Sequence, residues 1–126
     1  MKTGFHHVGL KVKDYDKTVR FYKEVLGLKE KLAWQMGDDP AIMLTMDDGG
    51  IIEIFGGGTD EEESNPRWPH FAIAVDDVAA AFKKAVDFGA KPRMEPSKLA
   101  IGDTLNVEVA FVYGFGGEVL EFFKEG

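Results

Sequence analysis

Two histidines and two glutamates occupy matching places in the two halves of this chain. His7 opens the stretch His7-Val-Gly-Leu-Lys-Val-Lys-Asp14, and His70 opens the similar stretch His70-Phe-Ala-Ile-Ala-Val-Asp-Asp77. Each half then closes on an acid among apolar neighbours, Ile51-Ile-Glu53-Ile-Phe55 in the first and Val119-Leu-Glu121-Phe-Phe123 in the second. A carboxylate on so apolar a strand is costly to bury unless something compensates its charge, and a cation is the strongest compensation available. Two neutral imidazoles with two carboxylates make a mixed nitrogen and oxygen donor set. Such a set suits one divalent ion such as Ni, Zn, Co, Mn or Fe, with positions left for water. Ligands scattered over four strands form no compact motif, and a lone strand histidine is more often an ordinary hydrogen-bonded residue than a ligand. The symmetry of His7, Glu53, His70 and Glu121 is what makes the set a candidate.

Strands must carry these residues. On a strand, side chains alternate between faces, so His7, Gly9 and Lys11 share one face while Val8, Leu10 and Val12 share the other. The second copy sets His70, Ala72 and Ala74 against Phe71, Ile73 and Val75. The same parity groups Glu53 with Ile51 and Phe55, and Glu121 with Val119 and Phe123. His6 falls on the strand face opposite His7 and is not expected to be a ligand.

A helix follows each opening strand. Asp14 can cap a helix whose apolar stripe is Tyr15, Val19, Tyr22, Val25 and Leu26, with Gly27 as its stop. Asp77 can cap a second one with the stripe Val78, Ala81, Phe82, Ala85 and Phe88, stopped by Gly89. After Gly27 the pattern predicts strands near 29–34, 41–46 and 51–55, the last two joined by the hairpin signal Asp47-Asp-Gly-Gly50. After Gly89 it predicts strands at 91–94, 105–113 and 119–123; Pro92 weakens the first of these, and the turn Gly114-Phe-Gly-Gly117 joins the other two. The fold class is therefore α+β, with two paired β-α-β-β-β modules forming a curved mixed sheet with helices on its convex side. The modules are expected at 1–57 and 68–126, with a linker of Gly, Ser, Pro and acids at about 58–67 inside a single domain.

Composition narrows the function classes. At 126 residues and 44% hydrophobic content the chain can bury a sizeable core. It has no cysteine, which removes disulfides, thiolate nucleophiles and zinc-thiolate sites. The net charge of −7 argues against nucleic acid as a partner. No apolar run is long enough to span a membrane and no signal core follows Met1, so a cytoplasmic location is expected. The acidic run Asp60-Glu-Glu-Glu63 reads as solvated surface. Gly56-Gly-Gly58 lacks the lysine and the helix that a phosphate loop needs.

At these residues the chain resembles the vicinal oxygen chelate superfamily, which includes glyoxalase I, methylmalonyl-CoA epimerase, extradiol dioxygenases, and fosfomycin- and bleomycin-resistance proteins. The resemblance covers the whole chain and rests on His7-Val-Gly-Leu, Phe21-Tyr22, Leu26-Gly27-Leu28, Ile52-Glu53-Ile54, His70-Phe-Ala-Ile-Ala-Val, Phe88-Gly-Ala90 and Val119-Leu-Glu-Phe122. It implies paired modules whose concave face holds the metal. Glyoxalase I is the relative most similar at the ligands, and the resemblance then implies His7, Glu53, His70 and Glu121 as metal ligands. It also implies a lyase or isomerase that abstracts a proton next to a carbonyl of a small thiol hemithioacetal or related α-hydroxycarbonyl, through a metal-bound enediolate. Glu121 is the first candidate for the base and Glu53 the second. A small-molecule substrate follows, and the exposed module edges left by duplication point to a homodimer.

The substrate contacts depart from that pattern. Where bacterial glyoxalase I enzymes grip glutathione with an arginine and an asparagine, this chain has Lys11 and Gly57. A lysine keeps the charge without the bidentate fork, and a glycine offers no side chain. Lys11 and Arg67 are the basic residues set apart from the helix surfaces, and Trp34, Trp68, Phe111 and Tyr113 can supply aromatic walls. The same walls serve the competing reading, a drug-binding protein of the bleomycin-resistance kind. An epimerase of the methylmalonyl-CoA type is a further alternative, although its second ligand is normally glutamine.

Overall fold

The computed structural model describes residue 2 and residues 5–59, 70–101 and 105–126. Two modules repeat one order of elements. The first runs β1 (His7–Lys11), α1 (Tyr15–Glu24), β2 (Lys29–Met36), β3 (Asp39–Thr45) and β4 (Ile51–Phe55); the second runs β5 (Phe71–Ala74), α2 (Val78–Phe88), β6 (Lys91–Ile101), β7 (Leu105–Tyr113) and β8 (Val119–Glu125). The helices start where the aspartates allow: Asp14 accepts a hydrogen bond from the Lys17 amide at 3.1 Å, and Asp77 accepts one from the Ala80 amide at 3.0 Å. Gly89 ends α2 with φ +123°, a conformation that suits glycine.

Each module keeps its own four-stranded mixed sheet, in the order β1-β4-β3-β2 and β5-β8-β7-β6. In both, the first strand of the module runs parallel to the last, and the other neighbours are antiparallel. The opening strands β1 and β5 are therefore edge strands, and among the described residues nothing pairs with their outer sides.

β6 departs from expectation. It extends to Ile101 although Pro92 and Pro96 interrupt it, because it too is an edge strand and can bend where the proline nitrogens donate nothing. Its register slips between Pro92 and Met94 and again between Met94 and Ser97. β2 and β3 likewise reach further than the pattern suggested and meet at a two-residue turn, with Met36 paired to Asp39.

One apolar core serves both modules. Leu10, Val12, Phe21, Ile42, Leu44, Ile52 and Ile54 from the first join Ile73, Val78, Ala85, Ala110, Val112, Leu120 and Phe122 from the second in a single buried cluster. The seam between modules is aromatic, with Phe21 against Phe115 at 5.4 Å and against Phe88 at 5.8 Å between ring centroids. A polar contact lies inside it. The Tyr22 hydroxyl donates to Glu118 Oε2 at 2.5 Å, and the Gly116 amide donates to Glu118 Oε1 at 2.9 Å. Burial first, and then the adjacent Glu118 carboxylate, hold the Tyr22 phenol well above its ordinary range, so it stays a neutral donor. The glycines of the turn have a steric reason: a Cβ at Gly114 would run into the Glu118 carboxyl group, and one at Gly116 would meet Val12 of the first module.

Tyr22→Phe keeps the ring packing and deletes one donor to a buried carboxylate. It should cost about 1.5–3 kcal/mol, read as a lower urea midpoint at unchanged slope. A midpoint within error of the parent protein would remove this contact from the account of the seam.

Candidate metal centre

Register places the acids beside the histidine-bearing edge strands. Gly9 of β1 pairs with Glu53 of β4, and Ala72 of β5 pairs with Glu121 of β8. Because Ile52 and Ile54 point into the core, Glu53 points away from it; Leu120 and Phe122 fix Glu121 in the same way. The result is two pairs. His7 Nε2 stands 3.6 Å from Glu53 Oε1, and His70 Nε2 stands 3.2 Å from Glu121 Oε1. In each pair the imidazole is open to solvent and the carboxylate is not, with side-chain exposures of 40% and 13% in the first and 45% and 10% in the second.

The four candidate ligands do not meet within one chain. Among the described residues, no group of three or more His, Cys, Asp or Glu is placed to hold a metal. The core faces of both sheets are joined in one cluster, and each pair lies on the face of its sheet that points away from that cluster. Each pair brings one imidazole and one carboxylate together. The chemistry of each pair fits a divalent cation, since an imidazole nitrogen and a mostly buried carboxylate oxygen already converge.

Burial raises the Glu121 pKa above the ordinary value of 4.5, and the neighbouring His70 opposes part of that rise. The sign of the effect on stability follows. Between the ordinary and the raised value the folded chain keeps a proton that the unfolded chain has lost, so the metal-free protein should lose stability as pH rises through that window. A carbon-detected NMR titration of the metal-free protein should give Glu121 a midpoint above 4.5. In Glu121→Gln that part of the stability slope should vanish; a midpoint at or below the ordinary value would contradict the burial argument.

The remaining candidates fall around the two pairs. Lys11 is exposed on the same face as His7, and Trp34 packs edge-on against Phe55 at 6.2 Å. Phe111 sits opposite Glu121 in the β7–β8 register, and its ring meets the His70 ring nearly perpendicular at 5.5 Å. Tyr113 is partly exposed one step along the same face. Arg67, Trp68 and most of the expected linker lie outside the described residues. Gly57 has φ +81°, and any Cβ there would strike the Asp39 carboxylate, which accounts for the missing side chain at that position.

One residue near the pairs was not singled out in the sequence, and another was set aside as a non-ligand. Arg93 lies over Phe111 and Tyr113, with its guanidinium carbon 6.0 Å and 5.8 Å from the two ring centres. Only its alternation with Lys91 near the Phe111 strand could have marked it in the sequence. His6 is the other. β1 begins at His7, so strand alternation does not govern His6, and its ring stands edge-on to His7 at 5.1 Å.

Comparison with known proteins agrees with this architecture. Residues 4–122 match the family described as "Glyoxalase/Bleomycin resistance protein/Dioxygenase superfamily". The chain is 32% identical to the uncharacterized protein YwbC of Bacillus subtilis, with 94% of each chain covered. It is 28% identical to lactoylglutathione lyase of Haemophilus influenzae, covering 94% of this chain and 90% of that one. Among solved structures, glyoxalase I from Zea mays superposes with a TM-score of 0.78 at 25% identity, over 94% of this chain and 43% of the maize chain. No described helix is long and apolar enough to cross a membrane. With its fold, its paired modules and its sequence in agreement, the chain belongs to the glyoxalase/bleomycin resistance protein/dioxygenase superfamily, the vicinal oxygen chelate fold.

Proposed function

We propose that the protein is a metal-dependent lyase or isomerase of glyoxalase I type, and that two chains are needed to complete each active site. The observation that carries this reading is the pair of outward-facing half-sites, His7 with Glu53 and His70 with Glu121, each beside an unpaired edge strand. If β1 of one chain abuts β5 of a second, the two half-sites meet and a divalent ion gains four protein donors. A two-fold dimer makes two such sites at once. The abutting edges also cover strands that would otherwise be exposed.

His7, Glu53, His70 and Glu121 would hold the ion, which supplies Lewis-acid polarisation of a substrate carbonyl when bound. Glu121 is the base. It takes the proton from the carbon next to the carbonyl at a carboxylate oxygen and returns it to the neighbouring carbon, so no proton is lost overall. Burial suits it to this work, because a raised pKa brings the carboxylate nearer the operating pH. The Phe111 ring steadies His70 and helps exclude water from the same face. Lys11 and Arg93 are cations available to an acidic part of the substrate, one on each half of the joined surface.

The test is an assay of methylglyoxal with several thiols, with Ni, Co, Mn and Zn supplied in turn, beside metal analysis of the purified protein. Metal-dependent turnover with at least one thiol is expected. Protein that takes up none of these ions after soaking would overturn the enzyme reading and leave a small-ligand binder as the better account.

A further inference from the structure

We infer that His6 is a positioning residue for His7, fixing which ring nitrogen of His7 is presented to a metal ion. The inference rests on the metal-centre reading above and concerns a residue outside the four-ligand set. His6 Nδ1 lies 2.9 Å from His7 Nδ1, within hydrogen-bond distance, and the two rings meet nearly perpendicular at 84°. On the other side of the same ring, His7 Nε2 faces Glu53 Oε1 at 3.6 Å. The two nitrogens of His7 thus have two different partners.

An imidazole that binds a metal through Nε2 must carry its proton on Nδ1, and that N–H needs an acceptor to hold the ring in place. His6 Nδ1 is that acceptor when the His6 proton sits on Nε2. A second arrangement serves the metal-free chain. There His6 Nδ1–H donates to His7 Nδ1, and His7 Nε2–H points at the Glu53 carboxylate. Moving between the two relocates one proton on each ring and changes the proton count of neither. Strand geometry permits the contact because His6 precedes β1 and its ring is free to turn toward its neighbour.

Among the described residues of the second module, no histidine stands beside His70 as His6 stands beside His7. Pro69 precedes His70 in sequence and brings no ring nitrogen. The described contact to the His70 ring, apart from Glu121, is the apolar ring of Phe111. The two histidine ligands are therefore held differently, His7 by a hydrogen bond and His70 by packing. A change at His6 should disturb the first half-site alone.

The experiment compares the full-length parent protein with His6→Ala and His6→Asn. Co and Zn titrations should show His6→Ala weakened about 10- to 100-fold in affinity, the range seen when an outer hydrogen-bond partner of a ligating histidine is removed. His6→Asn, whose side-chain oxygen can accept the same N–H, should recover most of the loss. Nitrogen-15 NMR of the zinc-loaded parent should show His7 protonated at Nδ1 with that proton shielded from exchange, and the shielding should disappear in His6→Ala. His6 is exposed, so thermal melts of the metal-free variants should match the parent. Parent protein that binds no metal would overturn the metal-centre reading and this inference with it. Parent protein that binds, beside a His6→Ala variant of equal affinity and equal His7 exchange, would overturn the role of His6 alone.

Discussion

Glu121→Gln is expected to lower metal-dependent turnover by about 10³-fold or more while the folded structure persists. The substitution keeps the shape of the side chain and removes both the negative charge and the proton acceptor. Its site is nearly closed, with the side chain 10% exposed and Leu120 and Phe122 on either side locked into the core. A neutral amide is easier to bury there than a carboxylate whose pKa burial has already raised, so the metal-free variant should be at least as stable as the parent above the raised value. Loss of activity would then report chemistry and not unfolding. Glu53→Gln provides the internal comparison, since it also costs a donor but leaves the base in place; its loss should be the smaller of the two. A larger loss at Glu53 would exchange the assigned roles, and undiminished turnover in Glu121→Gln would defeat the base assignment. Metal content measured on both variants separates a failure to bind from a failure to turn over.

Much of the fold could be read because it depends on local rules. Asp14 and Asp77 cap as aspartate does before an apolar stripe, and alternation alone sent Ile52 and Ile54 inward and Glu53 outward. The repeat then implied the second module from the first. What could not be read depends on contacts distant in sequence or on exceptions to those rules. β6 outruns its pattern because its place at a sheet edge excuses Pro92 and Pro96, and edge position is a property of the whole sheet. Tyr22 reads as one more member of an apolar stripe; nothing near it reveals that its hydroxyl meets Glu118 across the seam. His6 precedes β1, so alternation does not govern its ring, and its contact with His7 could not be read from the strand pattern. The separation of the four candidate ligands into two pairs is of the same kind. Parity puts each acid beside its histidine, but that no third donor joins either pair among the described residues depends on how both modules pack on one core.

That separation leads to the second large effect, which concerns mixtures of two inactive proteins. His7→Ala with Glu53→Ala empties the first half-site of a chain, and His70→Ala with Glu121→Ala empties the second. A dimer of either double variant has no complete donor set, so each alone should bind metal poorly and show no turnover. Unfolded or dissociated together and reassembled in equal amounts, the chains should pair at random, and about half of the dimers should be mixed. Each mixed dimer has one site with both halves emptied and one site with both halves intact, because the intact first half of one chain meets the intact second half of the other. About one quarter of the parent metal capacity and activity should therefore return, from two preparations that had almost none. A site assembled within one chain predicts the opposite, since every chain in the mixture carries a damaged half and no reassembly can restore it. The fraction recovered thus tests the arrangement of the halves, and its dependence on prior dissociation tests whether the dimer is the unit that holds them together.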